Sequence, residues 1–206
     1  MLARLVFLIR VCSYINGITS LELILPLNGD EWLLSNSTMD GVSCKVPGGV
    51  YTALLDNGIL NDPYFRNHDT EYFWVGRSDW AYSRNFKVET SLLNKQEIIL
   101  VCNGLDTISR IYVNGRSVGK SDNMFVRYTF DIKSALKKSA DAPNEIMINF
   151  TSAVTYGEER AKTLDKKIPP ECPPSSFHGE CHGNLVRKTQ CAFSWDWGPA
   201  FVSQGI

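Results

Sequence analysis

Residues 191–201 read CAFSWDWGPAF and place Trp195, Asp196 and Trp197 in a row ahead of Gly198-Pro199. Two indoles around one carboxylate offer what a sugar ring needs. The apolar C–H face of a pyranose lies on an indole, and neighbouring hydroxyls donate as a pair to a carboxylate. A turn or bulge at Gly198-Pro199 would let the three side chains approach one pocket. The opposing account is structural: on an extended strand both rings point the same way into a core, and Asp196 is a solvated acid.

A second group of reactive side chains lies just upstream. Cys172 and Cys181 bracket the stretch IPPECPPSSFHGECHGN, which holds four of the nine prolines. Such a stretch continues neither helix nor central strand, so it needs a staple to take a fixed shape. A Cys172–Cys181 bridge, closing about ten residues, would contribute about 2.7 kcal/mol in the loop-entropy account, less any strain. Zinc is a rival, because His178, Cys181, His182 and Cys191 are close in sequence. Structural zinc sites pair their ligands at tighter spacing than the C-x₈-C found here. Free thiols are the third option, and Cys44, Cys102 and Cys191 read as small buried hydrophobes or stay unassigned.

Other candidates are weaker. Asn144-Glu145 opens the alternating run EIMINF, which a strand start explains better than chemistry does. Glu158 and Glu159 are adjacent on a helical stretch, so their carboxyls diverge onto a solvated face. Arg187, Lys188 and Gln190 could position the Trp-Asp-Trp segment or reach a substrate, but they fit the polar face of a strand. Ser121–Phe125 (SDNMF) carries a turn at Asp122-Asn123 and no ligand contact.

The elements that must carry these residues are mostly strands. VPGGVYTALLDNGIL predicts a turn at Pro47-Gly48-Gly49 and a short helix with Val50, Leu54 and Leu55 on one face, closed near Gly58. From there to about Phe150 the signals are extended. WAYSRNFKV alternates at Tyr82, Arg84, Phe86 and Val88, EIILVC suits a strand covered on both faces, and VRYTFDI alternates again. Asn114-Gly115 between β-rich flanks predicts a type I′ hairpin, because both central residues need positive φ. In EIMINF, Ile146, Ile148 and Phe150 share one side. AVTYGEERAKTLDKK has helical composition with few apolar anchors and reads as an exposed excursion. The pattern implies an all-β, antiparallel sandwich or jelly roll with short helical and Pro-rich excursions.

With 206 residues, 44% hydrophobic content and a net charge of −1, the chain can bury a sizeable core and has no basic stripe for nucleic acid. No stretch approaches the roughly 20 apolar residues of a membrane span. Residues 1–20 begin like a secretory leader, but Arg10 breaks the apolar run and no clean cleavage site follows; the alternative is a non-native N-terminus. Sequons at Asn36 and Asn149 and the cysteine pair tilt the compartment toward the secretory route.

The segments VPGGVYTALLDNGILNDPYFRNHDTEYFWVGRSDWAYSRNF, GLDTISRIYVNGRSVGKSDNMFVRYTFDI, PPECPPSSFHGECHGNLVRKTQCAFSWDWGPAF and SQGI together resemble the N-terminal region of the animal lysosomal beta-mannosidases. These lie among the beta-galactosidase-like, family 2 glycoside hydrolases. The resemblance covers about residues 21–206 and implies a galactose-binding-like jelly-roll domain, incomplete at its C-terminal end. It further implies that Trp195, Asp196 and Trp197 complete a substrate pocket and that Cys172 pairs with Cys181. Such enzymes are retaining glycosidases whose two carboxyls stand about 5–5.5 Å apart. Both belong to a barrel of about 250 residues, which this chain does not contain, nor does it contain the immunoglobulin-like domain. The expectation is therefore a fragment that supplies one wall of a β-mannoside site, is inactive alone, and needs neither metal nor organic cofactor. A stand-alone carbohydrate-binding module and a purely structural sandwich are the alternatives.

Overall fold

The computed structural model describes residues 7–12 and 23–206. Two antiparallel sheets face each other. The smaller is ordered β2 (Leu23–Pro26), β1 (Phe7–Cys12), β6 (Glu97–Cys102) and β9 (Tyr128–Asp131). The larger runs β4 (Met39–Val46), β3 (Gly29–Asn36), β5 (Trp80–Phe86), β10 (Asn144–Thr151), β7 (Ile108–Val113) and β8 (Arg116–Ser121). This is the antiparallel sandwich that the alternating pattern predicts.

The core follows from side-chain alternation. Ile146, Ile148 and Phe150 are buried from β10, Trp80, Tyr82 and Phe86 from β5, and Ile98, Leu100 and Cys102 from β6. Asn144 is buried too. Its side-chain oxygen accepts from Asn114 Nδ2 at 2.8 Å and from the Lys137 amide at 2.9 Å, so the Asn144-Glu145 pair is a strand start. The hairpin forms at Asn114 (φ 51°) and Gly115 (φ 76°), pairing Val113 with Arg116. Asn36 sits at the β3–β4 connection, and Asn149 is exposed on β10.

Four features depart from the sequence reading. Between residues 58 and 80, read as strand-like, the chain forms α2 (His68–Glu71) and α3 (Phe73–Arg77) after α1 (Val50–Asp56). A further short helix, α4 (Thr90–Leu93), follows β5. The excursion at 153–167 is anchored rather than loose. Its helix α5 (Ala153–Lys162) is capped by Ser152 and buries Ala153, Val154 and Gly157. Gly157 lets the helix pack closely there, since a Cβ would stand 3.0 Å from the His182 carbonyl oxygen. Finally, Phe7–Cys12 pairs with both β2 and β6. The rest of the 1–20 segment lies outside the described residues.

Candidate functional site

A second, smaller core of Ala153, Val154, Val186, Phe193 and Val202 lies outside the sandwich. It carries the segment from Cys172 to Val202. Cys172 and Cys181 are disulfide-bonded, which takes Cys181 out of the zinc alternative. Gly183 lets the Phe193 ring approach, since a Cβ there would meet the ring at 2.6 Å. The Glu180 amide donates to Phe193 O at 2.9 Å. The loop is thereby folded back on the strip that precedes Trp195.

Three polar ties fix this platform. Arg77, in the last turn of α3, donates through Nε and Nη2 to the two oxygens of buried Glu180 at 2.8 and 3.1 Å. This hydrogen bond raises the Arg77 pKa, against the opposing pull of burial. Lys188, buried with 2% of its side chain exposed, donates to Asp106 Oδ1 at 2.6 Å and Ser203 O at 2.7 Å. Burial lowers its pKa, and the Asp106 charge opposes that shift. Gln190 Nε2 donates to Gly183 O at 2.9 Å and lies close to two further carbonyls. Lys188 and Gln190 are thus loop-positioning groups, not the polar face of a strand. Arg187 is exposed, with its guanidinium 6.0 Å from the Phe125 ring centre. The SDNMF turn supports the same strip, because the Met124 amide donates to Arg187 O at 3.0 Å.

The Trp-Asp-Trp segment is not a strand. Buried Ser194 has φ 72° and ψ 163°, a backbone state that turns the chain out of register. Its hydroxyl lies 2.9 Å from Phe177 O and 2.8 Å from Gly198 O, and a single bridge joins Trp195 to Gly198. Both indoles leave the core. Trp195 is half-buried, Trp197 is 60% exposed, and their centroids lie 6.2 Å apart. The core-filler account of the two rings does not describe this geometry.

Trp195 separates two cavities. One, of about 320 Å³, is mainly apolar and is lined by Trp195, Trp197, Phe193, Pro170 and Pro173. The other, of about 370 Å³, holds Asp196 and is lined by Tyr64, Arg66, Asp69 and His178 as well as Trp195. Among the described residues no hydrogen bond or ion pair engages the Asp196 carboxylate. An acceptor with free lone pairs beside an indole face can take hydroxyls from a sugar. The loop carrying Tyr64 and Arg66 is absent from the sequence-derived site. It has no hydrophobic period, and its nearness to Asp196 spans well over a hundred residues of chain.

Residues 32–206 match the family described as "Glycosyl hydrolase 2 galactose-binding domain-like". The chain belongs to this glycosyl hydrolase 2 domain family. Among family relatives, a beta-mannosidase of Rattus norvegicus is 40% identical over 205 residues, 98% of this chain and 22% of its own. A probable beta-mannosidase of Caenorhabditis elegans is 38% identical, over 85% of this chain and 19% of its own. The crystal structure of a beta-D-mannosidase from Dictyoglomus thermophilum superposes with a TM-score of 0.77 at 34% identity. It covers 88% of this chain and 21% of its own. The chain thus spans about a fifth of the length of the curated relatives it matches. The galactose-binding-like fold of the family agrees with the two-sheet architecture.

Proposed function

We propose that residues 21–206 are the N-terminal sugar-binding-type domain of a beta-mannosidase. The full-length protein would be a retaining exoglycosidase that removes terminal, non-reducing β-D-mannose from glycoprotein-derived oligosaccharides. In this reading Asp196 accepts hydrogen bonds from sugar hydroxyls and Trp195 walls its cavity, while Trp197, which the three-in-one-pocket expectation placed beside them, lines the neighbouring cavity. A barrel in the same protein supplies the acid/base and nucleophile glutamates. The domain alone is inactive, since no such pair is assigned to it. Beta-mannosidase relatives at 40% and 38% identity support the substrate class. The single observation that carries the reading is the display of Trp195, Asp196 and Trp197 at cavities outside the sandwich core.

The compartment in this reading is the lysosome, reached through the secretory route, with glycans at Asn36 and Asn149. The secretory leader reading of residues 1–20 and the strand at Phe7–Cys12 exclude one another in one mature chain. A β-mannosidase assay compares the 206-residue chain with the full-length protein. Turnover by the longer protein alone is expected. Turnover by the short chain contradicts the assignment of chemistry to a barrel, and absence of turnover by both contradicts the enzyme assignment.

A further inference from the structure

Arg66 is held in a conformation that its residue type disfavours. Its φ is 54°, in the left-handed region where a side chain is strained and glycine is at ease. Among the described residues the non-glycine residues with positive φ are Arg66, Asn114, His178, His182 and Ser194. Asn114 is accounted for by its hairpin turn. The other four line or adjoin the cavities on either side of Trp195. Strain concentrated in this way marks a functional surface better than a structural one.

Among the described residues the Arg66 side chain has few partners within the fold. Its guanidinium lies 5.0 Å from the centre of its own neighbour's ring, Phe65. Among the described residues it has no carboxylate or carbonyl partner, and the side chain is exposed. The loop itself is well held without it. The Tyr64 amide donates to Asp62 Oδ1 at 2.9 Å, and His68 Nδ1 lies 2.6 Å from Asp62 O. Tyr64 packs edge-on against Phe201 at 5.2 Å. Arg66, which carries five N–H donors, lines the cavity that holds the unengaged Asp196 acceptor.

We infer that Arg66 is a further substrate-binding residue, donating to hydroxyl oxygens of the same β-mannoside whose other hydroxyls donate to Asp196. This rests on the assignment of Asp196 given above. A carboxylate and a guanidinium in one cavity can each serve a polyol, one accepting and one donating. The Trp195 indole, lining the same cavity, supports the ring face. Tyr64, Asp69 and His178 line the same cavity, with Asp69 Oδ2 4.0 Å from His178 Nδ1.

The test uses the full-length protein, p-nitrophenyl β-mannoside, and the variants Arg66→Gly, Arg66→Lys and Asp196→Ala. Arg66→Gly removes the donors while fitting the backbone, so it melts no lower than the parent. Its KM rises about 10- to 100-fold with kcat little changed, the signature of an interaction made equally in ground and transition states. Arg66→Lys recovers part of the loss. An unchanged KM for Arg66→Gly beside a crippled Asp196→Ala overturns the role of Arg66 and leaves that of Asp196 standing. Unchanged kinetics in both overturn the two together. A raised KM accompanied by a lower melting temperature, with no recovery by lysine, makes Arg66 structural and also overturns the inference.

Discussion

The indoles of Trp195 and Trp197 are stacked with planes inclined by 27°, and neither belongs to the sandwich core. Aromatic side chains of this size dominate core energetics when enclosed. Here the ring of Trp197 is left largely in solvent, so its stacking on Trp195 shapes a surface and does little for the fold.

Stability data should therefore divide the segment sharply. Asp196→Ala and Trp197→Ala should each change unfolding free energy by no more than about 0.5 kcal/mol. Phe193→Ala, three residues upstream of Asp196 and 3% exposed, should cost about 3–5 kcal/mol. Urea titration of the 206-residue chain reads all three.

The Arg77–Glu180 pair gives a second contrast. Arg77→Ala leaves a buried carboxylate without its two donors. Because the Arg77 side chain is 55% exposed, the loss is discounted to about 1–2 kcal/mol. Glu180→Gln in the same background should recover part of it, since it removes the stranded charge. The same denaturation measurement shows whether the double variant is the more stable of the two.

Thiol chemistry should follow burial. Desolvation pushes the Cys44 thiol up to about 12 and raises Cys102 as well, so neither forms thiolate near neutral pH. Cys191 is exposed, so of the two readings the sequence left for it, the buried small hydrophobe does not hold. Brief alkylation of the native chain at pH 8, mapped by peptide mass, should label Cys191 and spare Cys44 and Cys102.

Occupancy of the sequons, which the proposed secretory route implies, is read from the 206-residue chain expressed through a secretory pathway. Asn36→Gln and Asn149→Gln should each remove the mass of one glycan, and the double variant should be insensitive to peptide N-glycosidase. The same mass measurement reports whether residues 1–20 persist.

Local rules reached far into the fold. Asn114-Gly115 announces its hairpin because only positive φ fits the turn, and Ile146, Ile148 and Phe150 announce a one-sided strand. They reached less far into the site. Trp195 and Trp197 look like strand residues until Ser194 turns the chain, where its single hydroxyl donor lies within reach of both Phe177 O and Gly198 O. Lys188 looks like a solvent-facing strand residue because its partner, Asp106, is 82 residues away. The Tyr64–Arg66 wall carries no local pattern at all. Short helices such as His68–Glu71 escape detection because four residues cannot display a period.

The most direct test is the kcat/KM of full-length Asp196→Ala on a terminal β-mannoside, set beside its melting temperature. Loss of a carboxylate that accepts two sugar hydroxyls should lower kcat/KM by about 100-fold or more, with the melting temperature unchanged within error. Parental kcat/KM, or a fall in melting temperature without a kinetic loss, would contradict the assignment of Asp196 to the sugar.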